Sequence, residues 1–222
     1  MRIGITGGIG SGKSYVSNML RGLGYEVYDT DSAAKRLMTS DETLIHSLRE
    51  LIGEDCYTPS GMLNKPVVAK YLFSDDSHRQ KVNGIVHPAV KKDFTEWADK
   101  RIADKESTKS ETVFMECAIL YESRFDDVVD KVVMVWADEM TRVGRVMSRD
   151  HSTEEEVRRK IASQSDQAAL LNKADFVFDN SVNADTEGEL RRLVTYLDNK
   201  LWHSKTSVYA TDVAHDNKRN NN

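Results

Sequence analysis

A chain of 222 residues with a net charge of −5 lacks the positive excess that a nucleic-acid backbone demands of its main partner. At 39% hydrophobic and 30% charged residues it can bury a full core, as one domain or a core with insertions, and no run approaches the roughly 18 apolar residues of a membrane span. Cys56 and Cys117 lack metal-ligand spacing and the six histidines form no cluster, which argues against structural zinc and for reduced thiols in a cytoplasmic protein.

Arg2 to Thr6 reads as a short buried strand, and this early start predicts no signal peptide. Residues Gly7 to Ser14, Gly-Gly-Ile-Gly-Ser-Gly-Lys-Ser, fit the phosphate-cradling pattern G-x-x-x-x-G-K-[ST]. A helical pattern follows over 14–23, with apolar Val16, Met19, Leu20 and Leu23. Glycines let the chain approach a phosphate closely. Successive N–H groups then form an anion nest at the positive end of the next helix. Lys13 is placed to reach the β/γ-phosphates and Ser14 to ligate Mg²⁺. No G-x-G-x-x-G frame fits, so the loop reads as a nucleoside-triphosphate site and not a dinucleotide site.

A second strand is predicted over 25–29. The β-α-β unit places it parallel and adjacent to the first, with Asp29 and Asp31 at the carboxyl end where ligands of such sheets bind. Asp31 reads either as the N-cap of a helix over 32–38 or as a chemical group, and the two roles are compatible. Residues 41–107 break the alternation and read as a mostly helical insertion over the acceptor side. Its basic residues Lys65, Lys70, Arg79, Lys81, Lys91 and Lys92 can meet an anionic substrate or simply face solvent.

Strand character returns over 111–120, where Glu116 reads either as a metal-orienting carboxylate or as a packed polar residue. Another buried strand is predicted over 130–136. In the helix over 139–150, Arg142, Arg145 and Arg149 share one face and Val143, Val146 and Met147 the other. Such a face either neutralises transferring charge or is a solvated stripe. Residues 152–164 begin with a Ser/Thr cap, hold few apolar anchors and read as a mobile lid helix. Asn172-Lys-Ala-Asp175 imitates a guanine-reading motif, but it precedes its strand (176–179) and no switch motif lies between it and the loop. A closing amphipathic helix is predicted over 187–202, and a disordered polar tail after it.

These segments together resemble the dephospho-CoA kinases of coenzyme A biosynthesis. The resemblance rests on Gly4 to Ser14, Tyr28-Asp-Thr-Asp31, Leu63-Asn-Lys65, Leu72-Phe-Ser-Asp75 and Val82 to Pro88. It rests equally on Ala118-Ile-Leu-Tyr-Glu122, Arg145 to Asp150, Gln164 and Ala174 to Asn180. It implies an α/β P-loop nucleoside-triphosphate hydrolase fold: a five-stranded parallel sheet flanked by helices, with a helical substrate-binding insertion and a lid. The core is expected over 1–40, 108–149 and 166–203, the insertion over 41–107, the lid over 150–165 and the tail over 204–222. The implied reaction is ATP-dependent, Mg²⁺-assisted phosphorylation of dephospho-CoA by a cytoplasmic monomer or weak homo-oligomer. Asp31, Lys13 and Arg149 are the implied catalytic residues. ATP falls to Gly8, Ile9, Gly10, Ser11, Gly12, Lys13, Ser14, Tyr15, Arg145 and Asn180. The acceptor falls to Asp31, Lys65, His87 and Leu120, and the metal to Ser14. The chain departs from the family pattern at Lys65 and Ala69, where arginines are usual, and at Ala118, where proline is.

Overall fold

Ile3 and Ile5 are wholly buried, and the strand that carries them, β1 (Arg2–Thr6), runs straight into the glycine-rich loop. The computed structural model describes residues 1–104, 111–164 and 167–198; the expected tail lies outside them. After β1 come α1 (Lys13–Gly22), β2 (Glu26–Asp29), α2 (Thr30–Ser40), α3 (Glu42–Ile52), α4 (Lys65–Ser74) and α5 (Asp76–Ala103). The rest comprises β3 (Val113–Glu116), β4 (Lys131–Trp136), α6 (Glu139–Asp150), α7 (Glu154–Ala162), α8 (Gln167–Leu171), β5 (Phe176–Asp179) and α9 (Thr186–Asp198).

The strands form one five-stranded sheet in the order β2-β3-β1-β4-β5. This corrects the expectation that β1 and β2 are neighbours, because β3 stands between them. Burial explains the placement. Val113, Phe114 and Met115 of β3 are all fully covered, as an interior strand of a parallel sheet must be. In β2 only Tyr28 is buried, which suits an edge. The strand predicted over 111–120 is also shorter than its apolar run, since it ends at Glu116 and turns follow.

The chain forms two compact units: Met1–Gly4 with Leu20–Asp130, and Ile5–Met19 with the described residues from Lys131 onward. In the first, β2 pairs in parallel with β3, Asp29 opposite Glu116. The 28-residue α5 buries Val82, Val86, Val90, Phe94 and Ala98, a four-residue spacing that keeps one stripe inward. That stripe packs against α2, α3, α4 and β3. Tyr28 stands edge-on to Phe94, with ring centroids 5.3 Å apart. Its hydroxyl donates to Asp93 at 2.5 Å, where Arg36 also donates at 2.5 Å. Burial and then the Asp93 carboxylate raise the Tyr28 pKa well above the usual phenol value.

In the second unit β4 pairs in parallel with β5, Val133 opposite Phe176 and Trp136 opposite Asp179. Asp175 binds Lys131 Nζ at 3.0 Å and the Val132 amide at 2.9 Å. The aspartate of the guanine-like motif thus ties β4 to the start of β5, which agrees with rejecting a switch protein. Helix α9 packs on β5, and the Arg192 guanidinium lies 4.7 Å from the Phe176 ring centre.

Candidate active site

The loop between β1 and α1 is built by tying down its carbonyl groups. Lys13 Nζ donates to Gly7 O at 2.6 Å and to Gly8 O at 3.4 Å, and the Ser11 amide also meets Gly8 O at 3.1 Å. Arg142 Nε donates to Ile9 O at 2.9 Å. Arg145 Nη1 spans Gly10 O at 3.4 Å and Ser11 O at 3.3 Å, and Asn180 Nδ2 reaches Ser11 O at 2.8 Å. Because a peptide is planar, holding one carbonyl turns the following N–H to the opposite side. Donors on the carbonyl side therefore favour amides converging on the other, the arrangement of an anion nest. Gly10 and Gly12 are required by backbone and by space together. They adopt φ values of +79° and +92°, and a Cβ at position 10 would lie 2.6 Å from the Arg142 carbonyl oxygen. A Cβ at position 12 would collide with the Asn180 amide.

The arginine face of α6 does three different things. Arg142 is only 5% exposed, which overturns the solvated-stripe alternative for that residue. Burial pulls its pKa below the ordinary arginine value, with Glu139 opposing. Arg145 is half-buried on the loop. Arg149 is exposed and forks onto Asp150, Nε to Oδ1 at 2.7 Å and Nη2 to Oδ2 at 2.9 Å. That hydrogen bond raises the arginine pKa and lowers the carboxylate's. Asp138 caps α6 through the Thr141 amide at 2.8 Å. Burial pushes the Asp138 pKa up, but bonds from Thr141 and Ser181 outweigh it and leave it lowered.

Helix α7 starts at a capping box between Thr153 and Glu156. It is better anchored than its charged sequence suggests. Val157 is fully buried with Val143 and Val146, and Ile9, Met147 and Ile161 pack around them. Beside α6 lies an open pocket of about 610 Å³ lined by Met140, Gly144, Arg145, Arg149 and Val182 among others. Met140 and Val182 are 80% and 73% exposed, so the pocket offers apolar surface beside two guanidinium groups.

The remaining expected residues fall as follows. Ser14 and Tyr15 are exposed in the first turn of α1. Asp31 is exposed in the first turn of α2. The N-cap of that helix is Asp29, whose carboxylate accepts from the amides of Asp31 at 2.9 Å and Ser32 at 3.0 Å. This corrects the reading of Asp31 as the cap. Asp29 wins because it is the last extended residue of β2, with φ −101° and ψ 111°, the backbone a cap needs. Lys65 is exposed at the start of α4. His87 is half-buried, its ring centre 5.8 Å from that of Phe125, and burial followed by Lys91 lowers its pKa. Leu120 is fully buried against Gly4. Glu116 ends β3, and its main-chain carbonyl accepts from Thr30 Oγ1 at 2.9 Å. Reading the residues in isolation missed the loop contacts of Arg142, Gln164 and Asn180, for which no local pattern exists. The Asp29 cap carried a signal in its residue type, aspartate being a preferred N-cap.

The family model for dephospho-CoA kinase (CoaE) matches residues 1–186. A dephospho-CoA kinase from Bacteroides fragilis is 38% identical over 201 residues, 90% of this chain and 95% of its own. One from Porphyromonas gingivalis is 42% identical over 168 residues, 76% and 79% of the two chains. A Thermus thermophilus crystal structure superposes with a TM-score of 0.72 at 29% identity, covering 90% of this chain and 97% of that one. A shikimate kinase from Bacteroides thetaiotaomicron shares the fold at a TM-score of 0.50 and 16% identity, covering 89% and 98%. Sheet, loop and the match over residues 1–186 agree: the chain belongs to the dephospho-CoA kinase family.

Proposed function

We propose that this chain transfers the γ-phosphoryl group of ATP to the ribose 3′-hydroxyl of dephospho-CoA, giving coenzyme A and ADP. The observation that carries the reading is a loop whose carbonyls are held by Lys13, Arg142, Arg145 and Asn180 in a chain of this family. The acceptor oxygen bonds to the γ-phosphorus as the bridging P–O bond to ADP breaks. The hydroxyl proton passes to Asp31, an exposed carboxylate with no capping duty. Such transfer is loose at the transition state, so positioning and charge neutralisation do most of the catalysis.

In this reading Gly8 to Tyr15 bind the triphosphate, and Lys13 exchanges the Gly7 carbonyl for a phosphate oxygen. Arg149 leaves Asp150 to meet the transferring group. The nucleobase takes the pocket beside Met140 and Val182, near Arg145 and Asn180. Lys65 and His87 serve the acceptor, Lys65 standing where the family has an arginine, while Leu120 contributes from the core. The Ser14 hydroxyl, exposed at the start of α1, fits Mg²⁺. No cluster of three acidic, His or Cys side chains among the described residues competes for a metal, and Mg²⁺ commonly takes its other ligands from phosphate and water. When bound, the ion screens phosphate charge. No helix among the described residues is long and apolar enough to cross a membrane. A cytoplasmic monomer or weak homo-oligomer that takes no nucleic acid is the accompanying proposal, supported by the net charge of −5 and two buried free cysteines.

The test is ADP release from Mg·ATP with dephospho-CoA, beside AMP, CMP, shikimate and no acceptor. The proposal expects release only with dephospho-CoA, and absence of acceptor-dependent release with it overturns the reading.

A further inference from the structure

Ile9 has both of its main-chain polar groups bound by side chains from outside the loop. Its carbonyl accepts from Arg142 Nε at 2.9 Å and its amide donates to Gln164 Oε1 at 2.8 Å. Arg142 Nη2 donates to the same Gln164 oxygen at 3.3 Å, closing a ring of three residues. Gly8 belongs to the same fit. A Cβ there would lie 2.6 Å from Arg142 Nη2 and 2.9 Å from its Cζ.

Two further observations separate this ring from ordinary packing. A buried guanidinium normally has a carboxylate partner, since desolvating a charge alone is expensive. Among the described residues Arg142 forms no ion pair; nearby Glu139 is held by Arg158. The buried charge therefore sits behind a loop suited to a polyanion. Gln164 also lies two positions beyond the end of α7, so the ring links that helix to the loop.

We propose that Arg142 and Gln164 act as one positioning unit for ATP. Together they hold the Ile9 peptide so that the amides from Gly10 onward converge on phosphate, and they pass the placement of α7 to the loop. Neither touches the reacting atoms. The inference rests on reading the loop as an ATP site and is independent of the acceptor.

ATP binding to the full chain without acceptor, followed by titration calorimetry, tests it. Hydrogen exchange at the Ile9 amide and the melting temperature are measured alongside. Gln164→Met keeps length but removes the acceptor oxygen; Arg142→Lys keeps charge but cannot bridge. Each weakens ATP by about tenfold, the size of one well-placed hydrogen bond. Ile9 exchange accelerates in Gln164→Met while the melting temperature holds. The double variant loses little more than the worse single one, as members of one network do. Unchanged ATP affinity in Gln164→Met despite faster Ile9 exchange overturns the proposal, as do additive losses in the double variant. Should Arg142→Lys not fold, Gln164→Met and Gln164→Ala decide by the same affinity and exchange readings. A chain that binds ATP but does not turn over dephospho-CoA counts against the proposed reaction and leaves this inference standing.

Discussion

Asn180, just past the end of β5, donates its side-chain amide to the Ser11 carbonyl at 2.8 Å, across 169 positions of sequence. It is 3% exposed, and it occupies the space that a side chain at position 12 would need. Asn180→Ala is expected to destabilise the fold by about 1–3 kcal/mol, the consequence of leaving a buried acceptor short of a partner. ATP binding weakens with it. Gly12→Ala also loses ATP binding, and combining it with Asn180→Ala does not restore it. Space is relieved in the double variant, but φ of +92° at position 12 remains. Urea denaturation and ATP titration measure both effects, and recovery in the double variant contradicts the backbone argument.

Asp29 and Asp31 stand two residues apart and should fail in opposite ways. Asp29 caps α2, so Asp29→Ala lowers stability by about 1 kcal/mol. Asp31 is exposed and caps nothing, so Asp31→Asn leaves the denaturation midpoint and ATP affinity nearly unchanged while turnover collapses. If turnover and ATP binding fall together in Asp31→Asn, its role is structural.

Arg149 is exposed and held by its neighbour Asp150. Arg149→Met is expected to lower kcat by about 100-fold or more, the scale of losing one transition-state charge partner, with no change in melting temperature. Asp150→Asn keeps the arginine charge and should leave kcat within about threefold of the parent, far less than one lost charge partner. Steady-state kinetics on the two variants distinguishes a charge-stabilising Arg149 from one that only pairs on the surface. Equal losses in both point to the pair itself.

Alkaline stability should follow Tyr57. It is 5% exposed and donates to Met38 O at 2.6 Å. Burial pushes its pKa up from the ordinary phenol value, about 10, to about 12. A raised folded-state pKa means that the folded chain holds the proton longer, so this contribution is complete below about pH 10 and is lost as pH rises through about 12. The buried Tyr28, with its pKa raised in the same direction, adds to the loss. Tyr57→Phe should flatten the stability profile between those limits in pH-dependent urea melts. An unchanged slope assigns the alkaline transition to other groups.

Sequence alone determined the phosphate loop, the five strands and most helices, because these depend on spacing within a few residues. Gly7 to Ser14 carry their meaning locally, and so do the apolar rows of α3, α6 and α9. Tertiary structure decided everything that depends on partners distant in the chain. It put β3 between β1 and β2, since strand order follows competition for the most buried slot. It gave the cap to Asp29 and released Asp31, because the choice turns on which residue ends the strand in extended backbone. It also divided three arginines of one helical face into a loop brace, a loop contact and an exposed ion pair. Helical period sets which side chains share a face, but the surface opposite that face decides what each can touch. Here that surface is the carbonyl side of a loop more than 130 residues earlier.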